Sequence, residues 1–242
     1  MRVRPLVSLI ALSLALAGGP ALAQQNIDKV FGGITAEAGQ SYGSLETVNG
    51  GITIREGATV RSAETVNGGI TIERNAQVGG VETVNGGISL DDGARVRGAE
   101  AVNGGIRLGR DAKVDDDVEV VNGGIKASQG AVIGGDASNV NGAILLTRAE
   151  VGGDVTTTNG DITLTGATVR GDLRVEKPTG SWWRSNSNRL PRIVIGEGSV
   201  VEGELLFERE VELYVHPGAK VGKQSGTAPR MLDSADAPRS ND

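Results

Sequence analysis

The chain has 242 residues, a formal charge of −6, no cysteine, one histidine, 38 glycines and 2% aromatic residues. The acidic balance excludes a nucleic-acid binder that works through a basic face, and without cysteine the fold has no disulfides to lean on. A glycine-rich, aromatic-poor composition means disorder only where it lacks a period, and this chain has a period.

The first 23 residues have the layout of a secretory signal peptide: the basic start Met1-Arg2-Val3-Arg4, an apolar run from Leu6 to Ala17, and the small-residue cleavage site Ala21-Leu22-Ala23. The apolar run is too short to span a bilayer, so the mature chain is expected to carry no transmembrane segment. Loss of Arg2 and Arg4 moves the formal charge from −6 to −8.

The segment 26–36, "NIDKVFGGITA", is the first copy of a repeating unit, with Ile27, Ile34 and Ala36 in apolar columns and Phe31 in place of an asparagine. From there a phrase returns: "ETVNGGITI" at 46–54, again at 64–72, then "ETVNGGISL" at 82–90. Its asparagine falls at Asn49, Asn67, Asn85, Asn103, Asn122, Asn141 and Asn159, at intervals of 18 or 19 residues. A short fixed period is the signature of a stacked architecture.

The columns give the elements. Ile52, Ile70, Ile88, Ile106, Ile125, Ile144 and Ile162 follow the asparagine by three positions, and a second apolar column (Ile54, Ile72, Leu90) follows two later. Between them stand Thr53, Thr71, Ser89, Arg107 and Lys126. Alternation of period two is a strand with one buried face. A second strand carries alanine and then a β-branched residue, as in Ala58/Val60 and Ala76/Val78. A third precedes the asparagine, with Leu45, Ala63, Val81, Ala99 and Val118 inward. The adjacent Glu46, Glu64, Glu82, Glu100 and Glu119 must then face water, because carboxylates stacked in a dry core are too costly. The prediction is an all-β chain forming a single-stranded parallel β-helix, a solenoid of 18–19 residues per coil and about nine to ten coils, over residues 24–221.

Asn-Gly-Gly reads as a corner: glycine tolerates positive φ, asparagine tolerates the left-handed region, and stacked asparagines can bond from coil to coil. Asn49, Asn67, Asn85, Asn103, Asn122, Asn141 and Asn159 are therefore assigned a structural role. Val48, Val66, Val84, Val102 and Val121 precede them. Either the strand keeps its alternation and they form an outward docking ridge, or the chain has begun to bend and they fill a core corner.

After Val175 the pattern is interrupted by an inserted loop, 177–192, which contains Trp182, Trp183 and Arg184. The aromatics Phe31, Tyr42, Trp182, Trp183, Phe207 and Tyr214 all lie near the two ends of the repeat. They read as plugs for the mouths of the core, with the tryptophan pair and Arg184 as an alternative binding loop for a sugar or a partner. Apolar columns resume at Ile193/Ile195 and run to Val221, and 222–242 reads as a disordered tail.

No catalytic constellation emerges, no cofactor is expected, and the protein reads as a non-enzyme. His216 precedes Pro217-Gly218 in a turn, Asp115-Asp116-Asp117 reads as a solvated acidic corner rather than a calcium site, and Arg170-Gly171-Asp172 aligns with other corners instead of standing out as an integrin motif.

"VNGGITI" and "TTNGDITLTGATVRGDLRV" resemble an adhesin-type β-helix family of unknown function, and "IVIGEGSVVEGEL" and "VELYVHPGAKVGK" resemble bactofilins. The resemblance spans about 27–221. It implies a right-handed β-helix, and on the bactofilin side end-to-end polymerisation without nucleotide. The export signal and the aromatic-rich ends depart from that pattern. The expected role is an exported scaffold or adhesin-like surface of the bacterial envelope, periplasmic or at the cell surface. Its expected partners are an envelope protein, a polysaccharide or a further copy. A polymer-forming filament and a carbohydrate-binding or carbohydrate-active protein are the alternatives.

Overall fold

The computed structural model describes residues 25–178 and 189–235. Residues 1–24, where the sequence predicts an export signal, and Trp182, Trp183 and Arg184 of the inserted loop lie outside the described residues. Every described strand pairs in parallel with the equivalent strand one coil away, and the described residues contain no helix. The chain is a β-solenoid.

Eleven short strands, from Ile34–Ala36 to Arg230–Met231, stack into one wall. The other pairings form a second, bent sheet of 17 strands whose two arms make the remaining walls. Register is uniform: Ile52 pairs with Ile70, Ile70 with Ile88, and Asn49 with Asn67 and so on upward. The pattern follows from burial. In Thr59–Asn67, Val60, Ala63 and Thr65 point inward, and the two residues between Val60 and Ala63 both face out, so the strand turns its corner there. No single coil can bury its own inner face; the stack does it with columns of Ile, Leu, Val and Ala that are almost fully buried.

The structure revises four expectations. In the early coils the second and third strands are one bent strand of nine residues, as in Ser41–Asn49 and Gln77–Asn85. From Asp115 onward an extra residue enters this corner and splits the strand. Three positions separate Val96 from Ala99, whereas four separate Val114 from Val118. This produces the 19-residue units. The turn before Ala149 then loses one residue, and the period returns to 18. Second, the described residues make eleven rungs instead of nine to ten. Third, pairing continues past Gly222, with Gln224–Gly226 on Leu205–Phe207 and Arg230–Met231 on Glu212–Leu213, where composition predicts a disordered tail. Fourth, the aromatic-plug reading holds only in part: Phe207 is buried and Tyr42 packs against the core, but Phe31 is 77% exposed.

The end rungs carry polar residues in inward columns. Lys29 pairs with buried Thr47 and turns its ammonium onto Gly33 O at 2.8 Å. At the other end Gln224 stands on Leu205 and Gly226 on Phe207. The chain re-enters the stack after the inserted loop through ion pairs. Arg189 bonds Asp161 Oδ2 at 2.5 Å, Asp161 Oδ1 accepts the Arg192 N–H at 2.9 Å, and Arg192 pairs with buried Glu212 at 2.9 Å.

Candidate binding face

The third wall presents two outward columns side by side. In the first, Asp28, Glu46, Glu64, Glu82, Glu100 and Glu119 pair in register. At the spacing of adjacent strands, about 4.8 Å, these six carboxylates form a line about 24 Å long. Like charges stacked directly oppose folding, and in three of these carboxylates their repulsion adds to a larger effect of burial. Glu64 is raised above the ordinary carboxylate value by partial burial first, then by Glu82 and Glu46. Glu100 is raised by burial, then by Glu82, Glu119 and Asp117. Glu46 is raised by burial and Asp28, with Arg61 opposing.

The second column is apolar. Val48, Val66, Val102 and Val121 are half-buried and Val84 is 40% exposed. The alternation of Gln77–Asn85 holds in this segment, with Val81 and Thr83 inward and Glu82 and Val84 outward. Of the two readings of these valines, the geometry matches the outward ridge.

Beyond the valines runs the asparagine ladder. Nδ2 of Asn67 donates to Oδ1 of Asn49 at 3.1 Å, and the same bond links Asn85, Asn103, Asn122, Asn141 and Asn159 at 2.9 to 3.1 Å. Asn49 at the bottom donates to Val30 O, and the top acceptor, Asn159 Oδ1, takes a bond from Arg209 Nη1 at 2.9 Å. Partial burial lowers the Arg209 pKa, a sign that its guanidinium is poorly hydrated. Positive φ occurs at Gly104 and Gly142 of the glycines that follow the asparagines, and at the other corners the glycine is required for a different reason. Gly50, Gly68 and Gly86 do not adopt positive φ; a Cβ on Gly86 would lie 2.0 Å from Gly68 O in the coil below. The corner needs close approach of one coil to the next.

Two further ladders join the coils, one without a clear sequence signal and one at the aligned Gly-Asp corners. Thr47, Thr65 and Thr83 are buried, and each donates its hydroxyl to a corner glycine carbonyl: Gly32, Gly50 and Gly68 respectively. Their outward reading is excluded only by phase, since threonine suits either face of a strand. At the opposite corner Oδ1 of Asp117, Asp136, Asp154 and Asp172 each accepts the backbone N–H of the next coil at 2.8 Å, from Asp136, Asp154, Asp172 and Glu204. Asp172 is held below the usual carboxylate value by its bond from Glu204 N–H and by Arg174. A Cβ on Gly171 would sit 2.3 Å from Asp154 Oδ1. The Gly-Asp pairs of Gly135-Asp136, Gly153-Asp154 and Gly171-Asp172 are thus one stacking device, and the aspartate below dictates the glycine above. Asp115 pairs with Arg95 at 2.8 Å.

On the first wall, Arg107 and Lys126 stack outward beside Asp91 and Ser89, along a groove of about 440 Å³. His216 sits in a turn, its Nδ1 accepting the Gly218 N–H at 3.0 Å. Among the described residues no group of three or more His, Asp or Glu side chains converges as metal ligands would, and no helix is long and apolar enough to cross a membrane. No family model, curated protein or solved structure matches the chain. The fold defines the class, a parallel β-solenoid.

Proposed function

We propose that the protein is an exported, non-catalytic scaffold of the bacterial cell envelope that docks a partner along its carboxylate–valine face. The observation that carries this reading is the face itself: two straight columns, one anionic and one apolar, held at fixed spacing by in-register pairing through Asn49 to Asn122. A rigid rod needs no chemistry of its own to present such a surface, and an outward apolar line, half-buried and rimmed by charge, has the composition of an interaction surface. The sequence layout of residues 1–23 supports export.

Two observations favour a discrete rod over the filament alternative. Lys29 and Gln224 occupy inward columns at the end rungs, and inward polar residues are a known device against end-to-end pairing. Binding of a sugar through Trp182 and Trp183 is the remaining reading.

The test is to express the full chain in a bacterium, fractionate the cells and sequence the N-terminus of the product. An envelope-fraction protein beginning at Gln24 is the expected result. A cytoplasmic product that retains Met1 would end the proposal. Sedimentation of that product across a wide concentration range should give one monomeric species; concentration-dependent growth would favour the filament.

A further inference from the structure

The ladder contains seven Asn-Gly steps, the sequence most prone to spontaneous deamidation. In that reaction the glycine amide nitrogen bonds to the asparagine Cγ, and the bond from Cγ to the side-chain nitrogen breaks. Ammonia leaves with the amide proton, and water opens the resulting cyclic imide to aspartate or isoaspartate. The nucleophile is the glycine N–H, so its hydrogen bonding decides reactivity.

In five of the seven steps that N–H is held by the coil above. Gly50 donates to Asn67 O, Gly68 to Asn85 O, Gly86 to Asn103 O, Gly104 to Asn122 O and Gly123 to Asn141 O, at 2.8 to 3.0 Å. Gly160 is buried and donates to Thr157 Oγ1 at 2.8 Å. Gly142 is exposed, and its N–H has no protein acceptor among the described residues. The cause lies one coil up. The strand Ala137–Asn141 reaches its asparagine, but the next strand, Val155–Thr157, stops two residues short. Asn159 there donates its own N–H to Val140 O, and its carbonyl is not offered to Gly142.

We propose that Asn141 is the deamidation site of this ladder, while the other six corner asparagines are protected by the fold. Conversion to aspartate removes the Nδ2 donor that bonds Asn122 Oδ1 and inserts a charge between two linked segments of the ladder. Isoaspartate also lengthens the backbone at that corner.

The experiment incubates the full chain at 37 °C and mildly alkaline pH, folded and in parallel in urea, with peptide mapping that separates aspartate from isoaspartate. In urea the seven steps should react at similar rates. In the folded protein Asn141 should lead Asn67, Asn85 and Asn103 by about fivefold or more, the factor one net hydrogen bond supplies. Equal rates in the folded protein, or any of those three reacting ahead of Asn141, would overturn the assignment.

Discussion

Arg209 Nη1 lies 2.9 Å from Asn159 Oδ1 and 3.3 Å from the Thr158 carbonyl, so a single guanidinium closes the open end of a seven-membered amide ladder. Each amide in such a chain donates in the same direction, and its unfilled end is the last acceptor. Replacing Arg209 with Met keeps the aliphatic stem and removes the donor. Arg209→Met should lower unfolding stability by about 1–2 kcal/mol, measured by urea denaturation. An unchanged midpoint would show the ladder needs no terminal donor.

Gly86 and Gly80 offer a matched pair. A Cβ on Gly86 meets Gly68 O, whereas a Cβ on Gly80 meets nothing within 4 Å. Gly86→Ala should destabilise by about 3 kcal/mol, the upper range for overpacking. Gly80→Ala should be neutral or stabilising by about 0.5 kcal/mol. Thermal unfolding of the two variants side by side checks the claim that close approach between coils, rather than backbone conformation, selects the glycine.

Arg148 adopts φ of 48°, in the column of turn positions where Gly57, Gly93, Gly130 and Gly166 have positive φ. The left-handed region costs a non-glycine residue about 1–2 kcal/mol. Its exposed bond to Gln129 offsets little of that. Arg148→Gly should therefore stabilise the fold by about 1 kcal/mol, read as a higher denaturation midpoint.

Glu64 predicts a pH dependence. Its folded pKa is raised, by burial and then by Glu82 and Glu46, above the ordinary 4.5. The folded state therefore holds the proton to higher pH than the unfolded state. The resulting penalty is absent below the ordinary value, grows as pH rises through the raised one, and is complete at neutrality. Glu64→Gln should stabilise at pH 7 by about 0.5 kcal/mol, less at high salt, with no gain at a pH below the carboxylate range. A gain that persists in acid would assign the effect to packing.

Lys29 and Gln224 test the end caps. Replacing both by Leu puts an apolar side chain at an inward position of each end rung, on Thr47 at one end and Leu205 at the other. The double variant should self-associate in a concentration-dependent way by sedimentation, while the parent does not. If the variant stays monomeric, the end caps are not what keeps copies apart.

Much of this architecture is legible in the chain because repetition amplifies weak signals. One Ile-Thr-Ile triplet is ambiguous, but Ile52 to Ile162 in one column is a wall. The glutamate column assigned the phase of the third wall, since carboxylates exclude themselves from the core. Strand continuity was harder to read. Whether Val60 and Ala63 share one strand depends on a single residue at the corner, which periodicity cannot weigh. Threonine was invisible for a related reason: Thr65 satisfies its hydroxyl on Gly50 O and so passes for an apolar residue. Of the candidate face, the glutamates could be oriented from sequence. The valines could not, because valine is content on either side of a bend. The alignment of Arg170-Gly171-Asp172 with the other Gly-Asp corners was legible, but the bond it serves needs a partner one coil away and shows only once Asp154 is seen beneath Gly171.

The extra residue that enters beside Asp115 and the one that leaves before Ala149 compensate each other, and the outward columns pass both points without losing register. The sides of the prism act as rails and the vertices as expansion joints. Length can therefore be gained or lost at a vertex, up to the whole excursion between Val175 and Ile193, while the spacing of the groups along each rail is preserved for whatever reads it.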